Sequence, residues 1–136
     1  MGLFSFLNKE KKENDWTSIL PKEYVALLLG EIKKNPQACR EDEILQGFGK
    51  FGLEPSNPIP VYGVPSNETY LNSLRTLSGE RLRWRRIGSL QVENIVSPID
   101  KYEIFNSAGD TICFIYISPY HWRNSKKAPE GFKMLK

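Results

Sequence analysis

Two short stretches concentrate the side chains that could do chemistry. Arg81-Leu82-Arg83-Trp84-Arg85-Arg86 sets four arginines around one tryptophan, and Tyr120-His121-Trp122-Arg123 holds the only histidine of the chain. Glu130, between Pro129 and Gly131, is the nearest acid beyond that histidine. Guanidinium groups grip carboxylates and phosphates through a planar fork of N–H donors. A histidine oriented by a carboxylate is the usual general acid or base near neutral pH. Three functions therefore compete: docking of an acidic protein surface or anionic ligand on the arginines, binding of nucleic acid, or catalysis by His121 with Glu130 orienting it and Arg86 or Arg123 holding an anion. Plain alternatives stand beside each. Arginines on a strand most often form its wet face, Trp84 is more often core than a stacking platform, and a lone histidine is more often a hydrogen-bonded structural residue.

The elements that would carry these groups can be read in order. Pro21 to Lys34 reads as a helix, with Pro21 at its start, Glu23 and Lys33-Lys34 complementing the dipole, and Asn35-Pro36 ending it. Tyr24, Leu27, Leu28 and Ile32 recur at helical spacing and predict one buried stripe. A second helix is expected from about Cys39 to Gly47, on Ile44 and Leu45. The proline-rich run from Gly52 to Glu68 predicts an irregular crossing with an extended piece near Ile59 to Tyr62.

Two β-hairpins are expected beyond it. Thr76-Leu77-Ser78-Gly79-Glu80 and Asn106-Ser107-Ala108-Gly109-Asp110 each place glycine third in a three-residue loop, the position that needs positive φ. The first register sets Leu74 opposite Leu82, Asn72 opposite Trp84 and Tyr70 opposite Arg86. The second sets Ile104 opposite Ile112 and Tyr102 opposite Phe114. Arg81, Arg83 and Arg85 then share one face, with Arg75 across from Arg81, while Arg86 falls on the side of Leu82 and Trp84. Arg86 is expected in a half-buried ion pair or lining a pocket for an anionic group. The apolar run Thr111 to Ser118 predicts a central strand covered on both faces.

Composition narrows the setting. A chain of 136 residues predicts one domain with its own core. The expected segments are an apolar start and charged spacer over 1–13, a helical part over 14–52, the crossing over 53–68, an antiparallel sheet over 69–118 and a C-terminal loop over 119–136. No apolar run approaches a membrane-spanning length, and Leu3 to Leu7 lacks the features of a signal peptide. Packing on the domain is the expectation for that start. Cys39 and Cys113 read as packing thiols in a reducing, cytoplasmic setting. No metal constellation and no cofactor motif are expected. Gly47-Phe48-Gly49-Lys50-Phe51-Gly52 spells a dinucleotide-loop pattern in the wrong context, following a helix, and reads as a helix terminus with both phenylalanines inward. Asn67-Glu68-Thr69 fits a glycosylation acceptor that a cytoplasmic protein would not use. Residues 1–68 carry 8 Lys and Arg against 10 Asp and Glu, and residues 69–136 carry 11 against 6, so an anionic partner would dock on the second half.

Asn57-Pro58-Ile59-Pro60-Val61-Tyr62-Gly63, Tyr70 to Thr76 with Gly79 to Ser89, and Tyr120-His121-Trp122-Arg123-Asn124-Ser125-Lys126-Lys127-Ala128-Pro129-Glu130-Gly131-Phe132 resemble a group of short bacterial proteins that carry a Pro-Ile-Pro-Val segment, an Arg-x-Gly-Ser element and a Tyr-His-x-Arg-x-Ser-x-x-Ala-Pro-Glu-Gly tail. The resemblance covers roughly the last 80 residues and implies a bacterial source and a single α+β domain; Trp122 stands where that group's tail has proline. The combined expectation is two N-terminal helices packed on a four- to five-stranded antiparallel sheet made of two hairpins. The leading functional expectation is a small cytoplasmic binding protein, an adaptor or immunity-type protein, gripping an acidic surface. Its expected contact residues are Arg75, Arg81, Arg83, Arg85, Arg86, Tyr120, His121 and Arg123.

Overall fold

The computed structural model describes residues 15–135 and is an α+β fold with its first helices at the N-terminal end. The expectation for the apolar start and spacer lies outside these residues. Asp15 caps a single turn, α1 (Trp16–Ile19), by accepting the Thr17 N–H at 3.1 Å. Helix α2 (Lys22–Lys34) follows with Glu23 in its first turn and Lys33 and Lys34 in its last. Leu28 and Ile32, four apart, are buried, but Tyr24 and Leu27 are exposed. The expected stripe is therefore half as wide, because α2 lies at the periphery and offers one narrow seam to the body.

The second expected helix, 39–47, does not form; these residues are bends and turns. Their backbone is committed elsewhere. The Cys39 N–H goes to His121, the Cys39 carbonyl accepts from the Trp122 N–H at 2.9 Å, and the Asp42 carbonyl accepts from Ser125 Oγ at 2.8 Å. Groups that a helix would consume internally instead moor the C-terminal loop. In the glycine-rich stretch that follows, Phe51 is buried and Phe48 is exposed, so one of the two phenylalanines departs from the expectation.

The main sheet has strand order β1 (Ile59–Pro60), β5 (Thr111–Ser118), β4 (Ile95–Phe105), β3 (Arg83–Val92). It is mixed rather than antiparallel, since β1 runs parallel to β5. Helix α3 (Ser66–Ser73) takes the place of the first expected hairpin's leading strand. Tyr70, Leu71 and Leu74 are spaced for a helix face and all three are buried. The loop of that hairpin does form: Gly79 has φ +95°, and the Thr76 N–H donates to the Glu80 carbonyl at 3.0 Å. Arg75 and Arg81 face each other across it. The chains then part. Strand β2 (Leu74–Thr76) pairs with β6 (Phe132–Met134), which sets Leu74 opposite Met134 rather than Leu82. The tail is thus partly strand.

The second hairpin joins β4 to β5 through Asn106–Asp110 as expected, with Gly109 at φ +87°. Its register differs. A one-residue bulge after Phe105–Thr111 pairs Ile104 with Cys113, Glu103 with Phe114 and Tyr102 with Ile115. Ile112 and Phe114 are consequently exposed, so β5 is central in order but uncovered over its first half. A third hairpin, β3 to β4 through Glu93-Asn94, carries no glycine signal. It is pinned by Asn94, whose amide donates to the carbonyls of Gln46 and Ser56 at 3.0 and 2.7 Å.

The two sheet faces have different fates. Ile104, Tyr102, Ile115 and Ile117 point into the main core with Tyr70, Leu71, Leu74 and Leu82. On the opposite face Ile44 and Cys39 cover Ile99, Leu90 and Tyr116 at one end only. Everything toward the 106–110 loop stays open.

Candidate functional site

That open end collects cations and aromatics from three strands. Direct pairing places Arg83 beside Phe105, Arg85 beside Glu103, Glu103 beside Phe114, and Lys101 beside Tyr116. Side chains opposite one another share a face, so Arg83, Arg85, Lys101, Phe105 and Phe114 form one surface around Glu103, with Tyr116 at its border against the covered end. The Lys101 ammonium lies 4.5 Å from the Phe114 ring centre and 5.7 Å from that of Tyr116. Glu103 bonds Arg85 at 2.6 Å and accepts from Thr111 Oγ1 at 2.5 Å; these bonds hold its carboxyl below the usual carboxylate range.

Arg81 and Arg83 are exposed and have no ion pair among the described residues. Both line a cleft of about 730 Å³ with Leu82, Trp84, Asn72, Glu80 and Ser107. Leu82 is buried and Trp84 packs on the core, so strand alternation sorts the guanidinium groups as expected even though the first hairpin does not extend. Arg75 stands across from Arg81, but its guanidinium is turned back onto its own backbone. Its guanidinium donates to the carbonyls of Asn72 and Leu74 at 2.6 and 2.8 Å, at the C-terminal end of α3.

Arg86 sits on the core side with a different task. It pairs with Asp100 at 2.9 Å, the arginine side chain half exposed and the carboxylate buried. Asn67 donates to the other Asp100 oxygen at 2.8 Å and to Tyr102 Oη at 3.2 Å. The Asp100 hydrogen bond raises the Arg86 pKa further above its ordinary value. Tyr120 is within electrostatic reach of both Arg86 and Asp100, and burial raises its pKa. The asparagine of the glycosylation-like triplet is therefore a buried hinge of this network and not a surface group.

The C-terminal loop is a moored strap. The backbone N–H groups of His121 and Ser125 donate to the carbonyls of Val61 and Pro60 at 3.1 and 2.9 Å. Asp42 holds the Arg123 guanidinium and accepts from the Lys126 N–H at 2.8 Å. His121 is fully buried. Its Nδ1 accepts from the Cys39 N–H at 3.1 Å, which puts the ring proton on Nε2, 2.9 Å from Ser118 Oγ. Burial lowers its pKa to about 4, so the ring is neutral. Glu130 is exposed at the turn before β6. The hydrogen-bond partners of the imidazole are thus Cys39 and Ser118, and both nitrogens are occupied.

Sequence reasoning missed Lys101, Phe105, Phe114 and Tyr116 on the open face, together with Asp100, Asn67 and Asp42. The alternation Lys101-Tyr102-Glu103-Ile104-Phe105 already separated the β4 members from the core. Phe114 carried no such signal, because the bulge reverses its side.

Among the described residues no group of three or more His, Cys, Asp or Glu side chains could hold a metal ion, and no helix is long and apolar enough to cross a membrane. Comparison with protein families, curated proteins and solved structures gave no match to this chain.

Proposed function

We propose that the protein is a binding module that docks an acidic protein surface on the open sheet face, in the manner of an adaptor or a toxin-neutralising immunity protein. One observation carries this reading: Arg81 and Arg83 stand exposed, without ion-pair partners among the described residues, at the mouth of a cleft. Like charges held together are favourable only when an anion lies between or beside them. The neighbours suit a protein partner. Arginine and aromatic side chains dominate the binding energy of protein interfaces, and Phe114 and Ile112 add apolar area that water would otherwise cover. An acidic side chain of the partner enters the cleft while its apolar neighbours settle on Phe114.

Single-stranded nucleic acid is the second reading, favoured by Phe105, Phe114 and Tyr116 lying among cations on one sheet face. Glu103 in the middle of that face opposes a phosphate backbone. A catalytic role for His121 with Glu130 has the least support, since the ring's proton and lone pair are both engaged.

The deciding experiment compares the wild type with an Arg81→Glu/Arg83→Glu variant in pull-downs from the native host at moderate salt, beside titrations of single-stranded DNA and RNA over a salt series. A protein captured by the wild type and lost by the variant supports the reading. Oligonucleotide binding that weakens steeply as salt rises, without any captured protein, would replace it with the second.

A further inference from the structure

Strand β3 is an outer strand of the main sheet, ten residues long, and none of its residues is buried. One of its edges pairs with β4. Along the other edge the chain starts a ladder and abandons it: Arg75 bridges Arg81 in antiparallel sense, but the residues before Leu74, which would continue past Arg83, are wound into α3. Asn72, near the end of α3, and Leu82-Arg83-Trp84 are both walls of the cleft of about 730 Å³, so the helix leaves a gap beside the edge. Among the described residues no hydrogen bond to the backbone of Arg83–Val92 comes from any element but β4. Alternate residues of an antiparallel strand turn both N–H and C=O away from the paired neighbour, so this edge offers a row of donors and acceptors to a further strand. Charge selects the occupant. Residues 81–92 hold Arg81, Arg83, Arg85 and Arg86 and no acid. A second copy of the chain would bring arginines against arginines, whereas an acidic strand would neutralise them.

We propose that the partner adds an antiparallel strand to the free edge of β3, through an extended segment that alternates acidic with apolar residues. Its carboxylates lie beside Arg81 and Arg83 on the open face, and its apolar side chains fall on the other face, next to the half-buried Trp84. The inference rests on the reading of the open face as a site for an acidic partner and adds the mode of recognition. Main-chain hydrogen bonds supply affinity, and alternate side chains supply specificity.

The test titrates the full chain with a synthetic octapeptide of alternating Glu and Val, and with two forms of it, one N-methylated on every Glu and the other on every Val. All three carry the same charge, but alternate residues of a strand present their N–H groups to opposite edges, so only one methylated form loses the donors that face β3. That form is expected to bind about tenfold more weakly than the other. At ten times its dissociation constant the parent peptide is expected to slow amide exchange at alternate residues of β3 by about tenfold. Equal binding of the two methylated forms, or unchanged exchange along β3, overturns strand addition. If binding is then still lost in Arg81→Glu/Arg83→Glu, the acidic-partner reading stands without it. Protection of β3 that is undiminished in that variant overturns the acidic occupant and the reading together. Absence of peptide binding at millimolar concentration overturns strand addition and leaves the reading to the pull-down.

Discussion

The imidazole of His121 and the backbone of Cys39, 82 residues apart, are joined by a 3.1 Å hydrogen bond in which the ring accepts. Because the same ring donates to Ser118 at the end of the central strand, one neutral side chain ties the 39–47 segment, the sheet and the C-terminal loop together.

His121→Ala leaves the Cys39 N–H and Ser118 Oγ without partners in a dry site, so it should cost about 3 kcal/mol in urea unfolding at pH 7.5. The pH dependence has a definite sign. An unfolded histidine titrates near 6.5 and the folded one near 4, so the unfolded state binds the extra proton between those values. The wild type should therefore hold this contribution above about pH 6.5 and lose about 3 kcal/mol of it by pH 4. The Ala variant should lack that component of acid sensitivity, which unfolding curves of both proteins across this window will show.

Arg86 and Asp100 form a pair in which only the acid is buried. Arg86→Met should cost about 2 kcal/mol, less than the ~3–5 expected for a fully buried pair, because the guanidinium is half in water. Adding Asp100→Asn should recover part of that loss, since the neutral amide no longer needs a counter-charge. A double-mutant cycle by chemical denaturation measures the coupling.

Arg81→Glu/Arg83→Glu should leave stability within about 0.5 kcal/mol of wild type, since neither side chain is buried or paired with an acid among the described residues. Binding of an acidic partner should weaken at least tenfold, which is about 1.4 kcal/mol. Glu103→Gln should do the opposite, because it removes the one acid from the face and releases Arg85. Calorimetry at two salt concentrations would register both changes, larger at the lower one.

Gly63 and Gly109 both have positive φ, at +81° and +87°, yet they differ in surroundings. A Cβ on Gly63 would lie 2.6 Å from the Trp16 ring, whereas one on Gly109 meets nothing within 4 Å. Gly109→Ala should cost only the backbone strain of about 1–2 kcal/mol. Gly63→Ala adds overpacking and should cost about 3 kcal/mol or more. Thermal melts of the pair separate the two effects.

What the sequence made legible was local. Helix 22–34 is announced by its caps and charges, and the loops at Gly79 and Gly109 by the backbone geometry they need. The sorting of Arg81, Arg83 and Arg85 from Leu82 and Trp84 follows from alternation alone, and so survives the loss of the extended hairpin. What failed depends on distant partners. Residues 39–47 are unwound because His121, Trp122 and Ser125 claim their backbone groups, and nothing near position 40 signals a loop 80 residues later. Tyr70, Leu71 and Leu74 fit a helix as well as Tyr70, Asn72 and Leu74 fit a strand, and burial against the core decides between them. The β5 aromatics of the open face, Phe114 and Tyr116, were hidden by a single extra residue in β5.

Strand β3 forms the outer rim of the sheet, and its register breaks twice, after Arg86 and after Leu90. Unpaired rims invite stacking of molecules into fibres unless they are charged or kinked. The arginine row and the two kinks act together as gatekeepers against polymerisation. Engineering that straightens this rim or neutralises its charges to sharpen recognition should therefore lower solubility in proportion.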